Sequence, residues 1–119
     1  MPDQKMKIGI MSREEYQKRT IAIAKGEYRL SPNEPRVWFE SIESMAQVLS
    51  GKNQELLRLI QDHRPASLNA LATLSGRNKS NLSRTLKTMS NYGLVDLMHK
   101  GRTIQPVVKA SQFQVEFNI

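Results

Sequence analysis

Between Ile42 and Tyr92 apolar residues recur every three or four positions; beyond Tyr92 they recur every second position. That change of period predicts a helical stretch followed by strands. Ile42, Met45, Ala46 and Leu49 predict a first short helix over 42–49. Ser50-Gly51-Lys52-Asn53 interrupts it, and Asn53 is expected to cap a second helix that buries Leu56, Leu57, Leu59 and Ile60. Arg64-Pro65 ends this helix, because proline disfavours helical backbone in the residue before it. Ser67 then caps SLNALATLS, with Leu68, Leu71, Ala72 and Leu74 toward the core and Gly76 at the turn. Asn78 or Ser80 caps the next helix, which runs to about Tyr92 with Leu82, Leu86 and Met89 on one face; Gly93 terminates it. LVDLMHKGRTIQPVV alternates on both sides of Lys100-Gly101, as a hairpin does. QFQVEFNI alternates strictly and predicts a last strand, with Phe113, Val115, Phe117 and Ile119 on one face.

The first third of the chain is patterned less clearly. Residues 1–11 are expected to be disordered. Ser12 with Glu15 forms a capping box before SREEYQKRTIAIAKGE, a helix with Tyr16, Ile21, Ile23 and Ala24 as a loose apolar face. YRLSPNEP reads as a loop and RVWFES as a strand. These residues, 12–41, form an extension to a domain spanning 42–119. Trp38 and Phe39 are the candidate anchors for a second copy or another protein, since aromatic residues dominate interface hot spots; for Trp38 the alternative is that it plugs the domain's own core.

The order helix, helix, helix, hairpin defines a mainly α fold with a small β-sheet, a winged helix-turn-helix with an N-terminal helix and strand. Its chemistry is that of duplex-DNA reading. The major groove, about 12 Å wide, admits one α-helix. Ser80, Arg84 and Lys87, at i, i+4 and i+7, share the face opposite Leu82, Leu86 and Met89. Arg84 is the candidate for a bidentate contact to guanine, and Asn81 for one to adenine. Ser80, Ser83 and the first amides of the helix suit phosphate. Lys79 stands with them among the residues facing base edges at the start of the helix, and Arg77 and Thr85 are further phosphate candidates. At the hairpin tip, Lys100 and Arg102 suit the minor groove or its flanking phosphates.

Charge points the same way. Residues 1–63 hold ten Lys and Arg against nine Asp and Glu, a balance of +1; residues 64–119 hold eight against two, a balance of +6. A basic half beside a near-neutral half suggests a polyanionic partner for the basic one. The chain has no cysteine, which excludes disulfides and thiolate metal sites and suits the cytoplasm. No apolar run is long enough to span a membrane, and no secretion signal is expected. With two histidines on separate elements, no Gly-rich phosphate loop and no metal-ligand spacing, neither catalysis nor a cofactor is expected.

GRNKSNLSRTLKTMSNYGLV with its Gly-Arg hairpin tip resembles the MarR-like winged-helix transcriptional regulators, over about residues 52–110. The wider chain, with RVWFESIESMAQVLSGKNQELLRLI, is similar to a small group of prokaryotic regulators often encoded beside a toxin gene and regarded as antitoxins. The resemblance implies a homodimeric repressor of its own operon and, for an antitoxin, capture of a toxin protein by the N-terminal half. The long flanking dimerisation helices of full MarR proteins are absent, so no effector pocket between such helices is expected. The alternative is a protein-binding adaptor whose fold has lost sequence reading. RNA is disfavoured, because no aromatic ring stands among the basic reading residues to stack bases.

Overall fold

In the computed structural model, which describes residues 5–119, a serine or asparagine side chain opens every helix. Ser12 precedes α1 (Arg13–Ala24), Ser41 precedes α2 (Ile42–Val48), Ser50 precedes α3 (Gly51–His63), Ser67 precedes α4 (Leu68–Ser75) and Asn78 precedes α5 (Lys79–Tyr92). In each case the side-chain oxygen accepts a backbone N–H two or three residues on, an arrangement worth about 1 kcal/mol per helix. The cap of α3 is therefore Ser50, not the expected Asn53. Asn53 donates its backbone N–H to Ser50 at 3.3 Å and its amide to the Val48 carbonyl at 3.0 Å, closing the corner between α2 and α3. At the other end, Arg64 takes a left-handed backbone (φ 46°) before the buried Pro65, at a cost of roughly 1–2 kcal/mol.

The strands are β1 (Lys5–Ile10), β2 (Val37–Phe39), β3 (Val95–Lys100), β4 (Thr103–Val108) and β5 (Gln112–Glu116). β3 and β4 form the expected hairpin, closed by Gly101-Arg102. Only the first of these two residues has positive φ (61°), which is the type II′ pattern that requires glycine there.

The other sheet was not expected. β1, β2 and β5 run parallel in the order β2-β1-β5. The segment read as disordered, 1–11, thus contains the central strand, and residues 1–4 lie outside the described residues. Met6, Ile8 and Ile10 alternate, and Ile8 is wholly buried between Val37 on one side and Val115 on the other. Burial of that row outweighs the polarity of Lys5 and Lys7. The same pairing joins residues before 12 and after 111 to the 12–41 segment, so the extension and the larger domain share one sheet. The architecture is mixed α/β, with five helices and two small sheets among the described residues, rather than mainly α with one.

A parallel sheet needs cover on both faces. On one face Ile8, Val37 and Phe39 join Leu56, Leu57, Ile60, Leu71, Leu82, Leu86, Met89 and Leu94 in a single core. On the other, Trp38 lies flat on Gly9, where a Cβ would come within 2.3 Å of its ring. Glycine is required there because the indole occupies the space of a side chain. α1 connects β1 to β2 and lays Arg19 over that indole, 5.0 Å from the ring centroid.

Candidate nucleic-acid interface

α5 is amphipathic along its whole length. Leu82, Leu86 and Met89 are 0% exposed and fix one side of the helix in the core. At 100° per residue, Ser80, Ser83, Arg84 and Lys87 fall within an arc of about 100° on the opposite side, and all four are exposed. Lys79 and Asn81 flank that arc and are exposed as well. The helix has 14 residues, about 21 Å, enough to run along a groove for several base pairs.

The electrostatics of this face are one-sided. No aspartate or glutamate occurs between Asp62 and Asp96. Among the described residues, the ion pairs are Lys7–Glu116, Arg19–Glu34 and Lys109–Asp96; none involves Lys79, Arg84, Lys87, Lys100 or Arg102. These cations face solvent without a carboxylate to neutralise them. Lys100 and Arg102 stand exposed at the hairpin tip, as the sequence predicts.

Two predicted contacts have internal duties. Arg77 is half-buried and reaches back to α3, donating to the Lys52 carbonyl at 2.8 Å and to Asn53 Oδ1 at 3.2 Å. It ties the start of α5 to the start of α3 rather than projecting outward. Ser80 donates its hydroxyl to Asn78 Oδ1 at 2.6 Å, and its N–H bonds the same oxygen at 2.8 Å, so its proton is engaged in the cap. It presents lone pairs outward, which suit a base donor better than a phosphate.

Arg77's reach creates a feature that periodicity could not reveal. The N-termini of α3 and α5 lie together at an open polar cleft of about 470 Å³, lined by Ser50, Lys52, Asn53, Arg77, Asn81 and Thr85 among others. Both helices direct the positive ends of their dipoles there, with Lys52 alongside, a setting that favours anions. Lys52 was read only as part of a helix break. The signal in the sequence was Ser50 three residues before a polar Asn53, the spacing of a cap.

Trp38 and Phe39 were candidates for a partner or dimer contact. Phe39 is 1% exposed and stacks on Tyr92 at 4.3 Å, so it serves the core and offers no docking surface. Trp38 is half-buried between Gly9 and Arg19. Around it Arg19 pairs with Glu34 at 3.3 Å, the Tyr28 hydroxyl donates to the same carboxylate, and the Ser31 N–H donates to its other oxygen at 2.6 Å. The Tyr28 bond first, then the Ser31 amide, hold Glu34 below the usual carboxylate range; the Glu34 bond raises the Tyr28 phenol. This is a knot joining α1, its loop and β2.

Among the described residues, no three His, Asp or Glu side chains gather closely enough to hold a metal, and no helix is long and apolar enough to cross a membrane. A family model, HVO_A0114, matches residues 48–115, more than half of the chain, and the chain belongs to that family. The match runs from the end of α2 to β5 and includes α5 and the hairpin. No curated protein and no solved structure matches the chain.

Proposed function

We propose that the protein is a sequence-specific regulator of transcription that binds duplex DNA through a winged helix-turn-helix resembling that of MarR-like proteins. α4 and α5 supply the two helices, and β3–β4 the wing. The observation that carries the reading is the outer face of α5: exposed Ser80, Asn81, Arg84 and Lys87 on a helix whose opposite face is locked in the core, with no Asp or Glu in the chain between Asp62 and Asp96. In this reading Arg84 contacts a guanine edge and Asn81 an adenine edge, while Lys79, Ser83 and Lys87 meet phosphates. The cleft at the start of α3 and α5 takes a backbone phosphate, with Lys52 added to the expected set and Arg77 holding the two helices in register. Lys100 and Arg102 follow the groove beside α5. The regulator acts as a homodimer in the cytoplasm, occupies an operator near its own gene and blocks transcription by exclusion. Its antitoxin role rests on the sequence resemblance. The surface for a toxin is the outer side of α1 and its loop, where Tyr16, Ile21, Tyr28 and Leu30 are exposed.

The test is a fluorescence-anisotropy titration with duplex DNA from upstream of the gene and a scrambled duplex, at two salt concentrations. Arg84→Ala should weaken upstream binding by about 1–3 kcal/mol and leave scrambled binding nearly unchanged. Equal, steeply salt-dependent affinity for both duplexes would mean phosphate attraction alone and would end the sequence-reading proposal.

A further inference from the structure

β5 is an edge strand. Among the described residues it pairs with β1 on one side and with no strand on the other, the sheet order being β2-β1-β5. Edge strands are normally blunted by charge, proline or brevity. β2, the opposite edge, is three residues long. β5 has five residues, no proline and a single charge, Glu116, which is already drawn toward Lys7 of β1 at 3.9 Å. Its core-side residues are incompletely covered: Phe113 is half-buried and Val115 is 43% exposed. Beyond the edge lies a groove of about 600 Å³ with a mixed lining, in which Met45, Leu49, Phe113 and Val115 stand beside Gln54 and Arg58. It occupies the place of the side chains of a further strand.

We infer that this further strand is β5 of a second copy, paired antiparallel about a two-fold axis through Val115. The register follows from the sequence. With Val115 opposite Val115, Phe113 meets the second copy's Phe117 on the groove side, and Gln114 meets its Glu116 on the other. Apolar residues face apolar residues, and the one carboxylate faces an amide. A shift to centre the axis on Glu116 sets two carboxylates opposite each other, which is repulsive, and a shift to Gln114 sets Phe117 opposite Ser111 and loses apolar contact. A shift that makes the residue sum odd puts Glu116 opposite Phe113 or Val115. A symmetric pairing is closed, so it stops at two copies and joins two three-stranded sheets into one of six strands. This surface replaces Phe39 and Trp38 as the dimer contact. It specifies the homodimer of the proposed regulator and rests on that reading for its purpose, though its geometry is independent of DNA.

The absence of native cysteine makes the test direct. Val115→Cys and Gln112→Cys are compared under mild oxidation without DNA, and sedimentation equilibrium is run on wild type and Val115→Lys. The axis brings the two Val115→Cys thiols within disulfide reach, whereas position 112 faces Asn118 of the second copy. The proposal expects wild type to be a dimer at micromolar concentration. Val115→Cys should crosslink at least tenfold faster than Gln112→Cys, and Val115→Lys should be a folded monomer by circular dichroism. A monomeric wild type, or equal crosslinking at both positions, overturns it. A dimer that survives Val115→Lys overturns it too. Arg84→Ala should leave sedimentation unchanged. A wild type that dimerises through Val115 yet binds the upstream and scrambled duplexes equally would condemn the DNA reading and leave the interface standing.

Discussion

Lys7 and Arg19 beside the parallel sheet are held by internal partners, whereas the cations of α5 and the hairpin tip are not. Around the sheet, Lys7 pairs with Glu116, and Arg19 is enclosed by Glu34, Tyr28 and Trp38. On α5 and at the hairpin tip, Lys79, Arg84, Lys87, Lys100 and Arg102 have no carboxylate in reach among the described residues. In the first region these two cations fasten its own parts. The second leaves its cations directed at solvent, where only an external anion can meet them. A cation with an internal partner is evidence about folding; a row of cations without one, on a rigid helix, is evidence about a ligand. Arg77 shows the value of the distinction, because it belongs by position to the second region and by its bonds to the first.

Substitutions on the two sides of α5 should separate these roles most sharply. Leu86→Ala removes a fully buried side chain from the inner face and should cost about 2–5 kcal/mol in urea unfolding. Arg84→Ala, two residues away on the outer face, should stay within about 0.5 kcal/mol of wild type in the same experiment. Comparable losses from both would mean that the outer face is structural. In the sheet, Gly9→Ala drives a methyl group into the Trp38 ring and should destabilise by roughly 1–3 kcal/mol. Gly9→Ala combined with Trp38→Leu should recover part of that loss; no recovery would mean that the indole is not what excludes the methyl.

The smallest effect is one of pH. Glu34 has a carboxyl held below its ordinary value of 4.5, so its contribution to stability is present above that value. It is lost as pH falls through the lower, folded-state value. Glu34→Gln should therefore show a flatter fall in stability than wild type between about pH 5 and about pH 3. Parallel curves would show that the knot around Arg19 does not depend on the carboxylate.

The helices were legible because the information that makes them is local. A serine before a run, leucines three and four apart, and a glycine or proline after it lie within one stretch of chain. The same is true of the hairpin, whose two-residue turn sits between its own strands. The parallel sheet was not legible because its partners are remote: Lys5 lies beside Gln112, and Ile8 lies between Val37 and Val115. The alternation of Met6, Ile8 and Ile10 was present, and a glycine inside it pointed to a close neighbour, but six residues rich in lysine gave no reason to look for one. Phe39 was misjudged for a related cause. Its partner is Tyr92, the last residue of α5, and nothing near position 39 announces that ring. On α5 the face was readable from spacing alone, whereas the engagement of Ser80 and Arg77 depended on bonds to Asn78 and to α3.

The pairing of β1 with β5 also orders events in time. Joining positions more than 100 residues apart costs roughly 4 kcal/mol of chain entropy before any hydrogen bond repays it. During synthesis β1 leaves the ribosome long before β5 exists, so one flank of Ile8 stays wet while the helices and hairpin condense. The sheet should be the last part of the molecule to gain protection from hydrogen exchange, and the nascent chain carries an uncovered strand until it does.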